Sequence, residues 1–209
     1  MKFLLPRGNA SASLDACRAA GRAACYPGMA DTGARTPVTD RLERWLRESG
    51  VDFAIFEHAA VHTSEEAARV RGTPLEEGAK ALVVRADDRY VQVVLPAHLK
   101  ADNAQLRVIL GTRKLRFATP EELSALTGCA PGAVPPFGNL FGLPVLVDGE
   151  VCRTERVAFN AGSNSVSITM RREDLVRISG ATVCRFAQAG AQATDRHSDA
   201  ARTREETGP

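Results

Sequence analysis

The sequence predicts an α+β fold built on a mixed, mostly antiparallel central sheet with helices around it. Two observations carry that prediction. From Pro37 to Gln188, short apolar runs of strand length are interspersed with segments bearing helix caps, without the regular strand–helix alternation that a doubly wound parallel sheet requires. Two of those runs, Ala79 to Arg85 and Tyr90 to Leu95, are separated only by Ala86-Asp87-Asp88-Arg89, the spacing of an antiparallel hairpin. The 209 residues, 44% hydrophobic and 25% charged, suffice for one domain with a sizeable core.

Residues 1 to 36 are dominated by Ala, Gly, Arg and Ser, show no sustained hydrophobic period, and are expected to form a flexible N-terminal extension. Thr39-Asp40 then caps a helix that carries Leu42, Trp45 and Leu46 on one face and stops at Gly50. Val51 to Phe56 alternates as a strand. Thr63-Ser64-Glu65-Glu66 has the Thr-x-x-Glu form of a capping box and opens a helix through Val70, halted by Gly72 and Pro74. The hairpin follows, then a helix from Asp102 or Asn103 and a short strand at Lys114 to Phe117. Thr119-Pro120-Glu121-Glu122 supplies an N-cap, a proline at the first helical position and a returning glutamate for a helix to Thr127. Strands are expected at Leu143 to Val147, Arg156 to Asn160, Ser165 to Met170 and Thr182 to Phe186, with a helix from Arg172 to Ile178 before the last. Residues 189 to 209 are polar and read as a disordered tail, so the domain spans residues 37 to 188.

Several function classes are excluded. A net charge of +2 gives no chain-wide affinity for polyanions, although a local basic site is compatible with it. No apolar run approaches the length needed to cross a bilayer, so no membrane partner is expected. Met1 to Leu5, cut off by Pro6 and Arg7, is too short for a secretory signal. The five cysteines are odd in number and lack CxxC spacing, which speaks against a disulfide framework and a zinc ribbon and for reduced thiols in the cytoplasm.

The most informative stretch is Gly128-Cys129-Ala130-Pro131-Gly132-Ala133-Val134-Pro135-Pro136-Phe137-Gly138. It is too rich in glycine and proline for a helix or a central strand and is expected to be a shaped, exposed loop. Glycine admits a ligand close to backbone amides and proline removes donors, so such a loop offers a rigid, selective array of N–H groups. Lys80 stands at the mouth of a strand, where an ammonium can reach a phosphate or carboxylate. Asn160-Ala161-Gly162-Ser163-Asn164 forms a small-residue turn between two strands, able to line a narrow pocket or simply to reverse the chain.

Other residues are weaker candidates. His58 and His62 are four apart, but the segment is not convincingly helical and the acid, Glu57, precedes the first histidine, so HExxH does not apply and no metal is expected. His62 is read instead as a pocket-wall residue or the start of a helix. Cys129 has no cation in its sequence neighbourhood to activate it, and Ser163 has no GxSxG context, so neither reads as a nucleophile.

Gly78-Ala79-Lys80-Ala81-Leu82, the loop Pro131 to Gly138 and the turn Phe159-Asn160-Ala161-Gly162-Ser163 follow one another at spacings of about fifty and twenty residues. Together they resemble the YbaK family, which includes the editing domain inserted in bacterial prolyl-tRNA synthetase and its free-standing relatives. The likeness runs from Thr39 to Phe186, and its specific parts are the lysine and the Gly-x-x-x-Pro element, here Gly132 to Pro136. It implies a YbaK-like, barrel-like arrangement of the sheet and hydrolysis, in trans, of the ester that joins a wrong amino acid to the terminal ribose of a tRNA. Mischarged tRNA, gripped at its acceptor end, would be the partner, with an aminoacyl-tRNA synthetase as a second, and no cofactor would be needed. Carried over by position, Lys80 contacts the tRNA 3′ end and Gly132, Ala133, Val134, Pro135 and Pro136 hold the ester for attack by a water. Ala161, Gly162 and Ser163 shape the amino-acid pocket with Asn160, which stands where alanine-editing relatives carry a histidine. An aminoacyl ester is already activated, so a placed water and an oxyanion-type donor set suffice. Two alternatives stay open: a non-catalytic module that binds a tRNA end, a nucleotide or a synthetase, and a hydrolase of some other small activated ester.

Overall fold

Ten strands in three sheets, five α-helices and three short 3-10 helices lie within residues 35–188, the part of the chain that the computed structural model describes. The expected extensions, apart from Arg35 and Thr36, lie outside the described residues, as do Cys17 and Cys25. α1 (Pro37–Glu48) starts earlier than the sequence reading placed it: Thr36 is the N-cap, Pro37 fills the first helical position, and Thr39 closes the capping box from within. α2 (Ser64–Arg71) and α4 (Pro120–Thr127) begin at the predicted boxes, Thr63 with Glu66 and Thr119 with Glu122, while α3 (Asn103–Leu110) is capped by Asp102. α5 spans Arg172–Ser179.

β1 (Phe53–Glu57), β7 (Arg156–Ser163) and β8 (Val166–Arg171) form an antiparallel sheet in the order β1-β8-β7. A second sheet has the order β5-β2-β3-β6-β9. In it β2 (Ala79–Ala86) and β3 (Arg89–Pro96) make the predicted hairpin, and β5 (Leu115–Phe117) pairs antiparallel with β2. β6 (Val145–Asp148) joins β3 in parallel, and β9 (Thr182–Cys184) joins β6 in parallel, so the sheet is mixed as expected. Two-residue strands β4 (Lys100–Ala101) and β10 (Ala187–Gln188) form a third pair. The buried carboxylate of Asp148 aligns that pair, accepting from the Phe186 and Ala187 amides at 2.6 and 2.7 Å.

The barrel-like part of the expectation is not met by a closed ring of pairing among the described residues. One isolated parallel bridge, Gly78 to Ala158, joins the two larger sheets. That bridge sets the starts of β2 and the middle of β7 side by side, with Lys80 and Asn160 each two residues further on.

Strand alternation decides which residues can serve a site. Val157, Phe159 and Ala161 of β7 and Val166, Ile168 and Met170 of β8 point into the main core with Leu42 and Leu46 of α1. The opposite face carries Asn160, paired in register with Ser167, which is itself paired with Phe56 of β1.

Candidate functional site

The loop after α4 is less exposed than the sequence suggests. Pro131 and Gly132 are exposed, but Ala133 to Gly138 are buried. The cause is in the loop's own apolar residues: Phe137 is fully buried, its ring edge-on to Trp45 at 5.1 Å and to Phe159 at 5.6 Å, and Val134 packs in a second cluster with Leu123 and Cys129. The loop is a staple driven into the core with one exposed tip at Gly132.

The carbonyls of its exposed tip, and several behind it, are taken up by the protein. Ala130 O accepts from Ala133 N, Pro131 O from Asn164 Nδ2 at 3.4 Å, and Gly132 O from Asn160 Nδ2 at 2.9 Å. Ala133 O accepts from Gly162 N at 2.8 Å, and Pro135 O from both Phe137 N and the buried Gln92 Nε2. The prolines have no N–H, and among the described residues the amides of Gly132 and Val134 find no acceptor. What the exposed tip offers to a ligand is therefore a donor, the Gly132 N–H. Gly132 has φ +84, and a Cβ there would lie 3.2 Å from Asn164 Oδ1, so the tip needs glycine for both its backbone and its neighbour.

Behind the tip lies a polar network that the sequence reading missed. Asn160 Oδ1 accepts from Arg71 Nη2 at 2.5 Å, and Arg71 Nε donates to Ser167 Oγ at 2.8 Å. His58 Nε2 lies 2.6 Å from the same Ser167 Oγ, while His58 Nδ1 lies 2.8 Å from Ala59 O. A carbonyl can only accept, so Nδ1 carries a proton, and in the neutral ring Nε2 is left to accept from the Ser167 hydroxyl. Burial pushes the Arg71 guanidinium down to about 10, and no carboxylate among the described residues offsets it.

Lys80 is half-buried and donates through Nζ to Ala97 O at 2.8 Å, the carbonyl that also receives Ser64 Oγ from the first turn of α2. Desolvation, followed by the proximity of Lys100, holds its ammonium below the usual lysine range. Arg71 and Lys80 thus stand at the two ends of α2, both without a carboxylate partner among the described residues.

The residues singled out from the sequence are placed as follows. Asn160 and Gly132 are hydrogen-bonded to each other, and Gly162 is tied to Ala133. The expected turn Asn160 to Asn164 is instead strand through Ser163, with a register shift after Asn160, and the chain reverses at Asn164-Ser165. Ala161 and Ser163 are buried, and Ala161 O accepts from Thr39 Oγ1 at 2.6 Å and Gly162 O from Thr36 Oγ1, which fastens the end of β7 to α1. Lys80 approaches through the β2–β7 bridge without a direct bond to the loop. His62 is exposed just ahead of α2, and His58 is the histidine in the network. Burial raises the Cys129 thiol to about 11, which removes thiolate character. Arg71, Gln92 and Ser167 had no local signal, since each is an ordinary polar residue within a helix or strand pattern.

A stapled loop with a backbone donor at its exposed tip, backed by Asn160 and Arg71 and with Lys80 two residues beyond the bridge between the sheets, is the candidate site on this α+β domain. The chain belongs to the aminoacyl-tRNA editing domain family, whose description matches residues 58–178. It is 35% identical over 155 residues to the multifunctional Ser/Thr-tRNA deacylase ProXp-y of Escherichia coli K12, covering 70% of this chain and 90% of that protein. A 76-residue stretch, 36% of this chain and 13% of the other, is 30% identical to a proline–tRNA ligase of Staphylococcus aureus strain Newman. A crystal structure described as a candidate trans-editing enzyme for prolyl tRNA synthetase superposes with a TM-score of 0.68 at 26% identity, over 75% of this chain and all of that one.

Proposed function

We propose that this chain is a trans-acting aminoacyl-tRNA deacylase, a hydrolase that removes wrong amino acids from tRNA in the cytoplasm and so guards translation fidelity. The observation that carries the reading is the loop tip: the carbonyls of its two exposed residues, Pro131 and Gly132, are bonded within the protein, while the Gly132 N–H finds no acceptor among the described residues. In the reaction a water adds to the ester carbonyl carbon, the oxygen becomes negative, and the bond to the ribose oxygen breaks as that oxygen takes a proton. The Gly132 N–H is the donor for the developing oxyanion, with Ala133, Val134, Pro135 and Pro136 holding it rigid. Lys80 holds the phosphate or ribose of the terminal nucleotide, its ammonium having no carboxylate partner among the described residues. Asn160 faces the side-chain pocket, Ala161, Gly162 and Ser163 shape it from behind as the buried end of β7, and His62, exposed ahead of α2, is assigned to its wall.

The amide of Asn160 makes its side of the pocket polar, which suits a hydroxyl-bearing side chain better than a purely apolar one. Serine and threonine are therefore the substrates to try first, in line with the E. coli relative. A hydroxyl that finds a partner in a polar pocket is discriminated far better than a missing methylene, which is worth only about 1–3 kcal/mol. Incubating the protein with a panel of mischarged tRNAs tests the proposal. Ester loss should accelerate for at least one of them and fall sharply in Lys80→Ala. Tight binding without turnover, or full activity in Lys80→Ala, would overturn it.

A further inference from the structure

Arg71 is half-buried and has no carboxylate partner among the described residues, an arrangement in which desolvation is not repaid by an ion pair. Arg71 accepts that cost at the end of α2, and both of its hydrogen-bonded nitrogens are committed to neutral oxygens, Asn160 Oδ1 and Ser167 Oγ. The consequence falls on Asn160. An asparagine amide can be turned either way, and its two ends are distinguished only by what they face. Here one end faces Arg71, which can only donate, and the other faces the Gly132 carbonyl, which can only accept. Turning the amide over would set two donors against each other and two acceptors against each other. Arg71 thus dictates that the NH2 group of Asn160 points to the loop, where it holds Gly132 O at 2.9 Å and reaches Asn164 Oδ1 at 3.3 Å. Asn164 in turn donates to Pro131 O, so both exposed residues of the loop tip hang on this relay.

We propose that Arg71 is a positioning residue of the site: through the amide of Asn160 it sets the position of the Gly132 backbone, without touching the ester itself. Its charge adds a second constraint. A cation behind Asn160 disfavours the protonated α-amino group of an aminoacyl ester on that side of the pocket, leaving the side chain, not the ammonium, to face Asn160. The proposal rests on the deacylase reading for its catalytic consequence, but not for its structural one.

The test uses the full chain and the substitutions Arg71→Met, Arg71→Lys, Asn160→Ala and the pair Arg71→Met/Asn160→Ala. Hydrogen exchange of the two bonded amides that tie the loop, Ala133 N–H to Ala130 O and Gly162 N–H to Ala133 O, should quicken about tenfold in Arg71→Met and in Asn160→Ala, and the pair should be no faster than either single change. With mischarged tRNA, kcat should fall about tenfold to a hundredfold in each, with KM within twofold, again without multiplying in the pair. Arg71→Lys keeps the charge and a single donor group and should restore part of both. If Arg71→Met fails to fold, Arg71→Lys carries the comparison, with exchange intermediate between wild type and Asn160→Ala. Unchanged loop exchange in the Arg71 variants, or effects that multiply in the pair, would overturn the proposal. A wild-type protein that deacylates nothing would sink the deacylase reading alone, because the exchange measurement still decides on Arg71.

Discussion

Replacing Gly132 by alanine separates a catalytic loop from a merely structural one. At φ +84 an alanine carries a backbone cost of about 1–2 kcal/mol. Its Cβ would also stand 3.2 Å from Asn164 Oδ1, close enough to push that amide by a few tenths of an ångström. Asn164 is anchored to Pro131 O and to Asn160, so the displacement passes directly to the loop tip. For a domain of this size each kcal/mol lowers Tm by about 2–4 °C, so a fall of about 2–8 °C is expected. Gly142→Ala is the matched control: φ is +69 there and nothing lies within 4 Å, so the backbone cost is similar and the site is left alone. Thermal melts followed by circular dichroism should show comparable losses of stability. Single-turnover deacylation should then separate the two, with Gly132→Ala slowed by about a hundredfold, as befits a donor displaced by a fraction of an ångström, and Gly142→Ala near wild type. Equal rates for the two variants would refute the role given to the loop.

Gln92→Leu should leave stability within about 1 kcal/mol, because it removes a buried Oε1 that has no partner among the described residues, while Pro135 O keeps its bond from Phe137 N. The same change unpins the loop from β3, so deacylation should fall although Tm does not; a fall in both would place Gln92 in the core ledger alone. Glu122 accepts from Arg116, Thr119 N and Tyr90, and these bonds hold its carboxyl well below the ordinary range. Its folded pKa is depressed, so its contribution is present above the unfolded value of about 4.3 and is lost as pH falls below that. Urea midpoints of wild type and Glu122→Gln should accordingly differ at neutral pH, begin to approach one another below about pH 5 and continue to do so as pH falls toward the depressed folded value; a constant offset would contradict the assignment.

Much of this architecture was legible because it is local. The boxes Thr63-x-x-Glu66 and Thr119-x-x-Glu122 start α2 and α4 where expected, and the four residues between two apolar runs did announce the β2–β3 hairpin. The start of α1 was misjudged because Thr36-Pro37 carries the stronger signal, a cap followed by a residue that needs no N–H. The exposure of the loop was overestimated for a related reason: glycine and proline describe its backbone, whereas Val134 and Phe137 decide its depth. Two-residue strands such as β4 and β10 have no periodicity to read, and their pairing depends on Asp148, some forty residues from either. For the site, Asn160 and Gly132 were visible as motif residues. Arg71, Gln92 and Ser167 reach the site only through tertiary pairing, from a helix end, a strand middle and a neighbouring hairpin.

The central claim is that a backbone loop, held from behind by Asn160 and flanked by Lys80, hydrolyses aminoacyl-tRNA. Its most direct test is the first-order loss of the ester from seryl- and threonyl-tRNA mischarged on a non-cognate tRNA, with and without the full chain. The account predicts a rate far above the uncatalysed one that collapses in Lys80→Ala and Gly132→Ala. Ester loss at the uncatalysed rate for these and every other mischarged tRNA tried would contradict it.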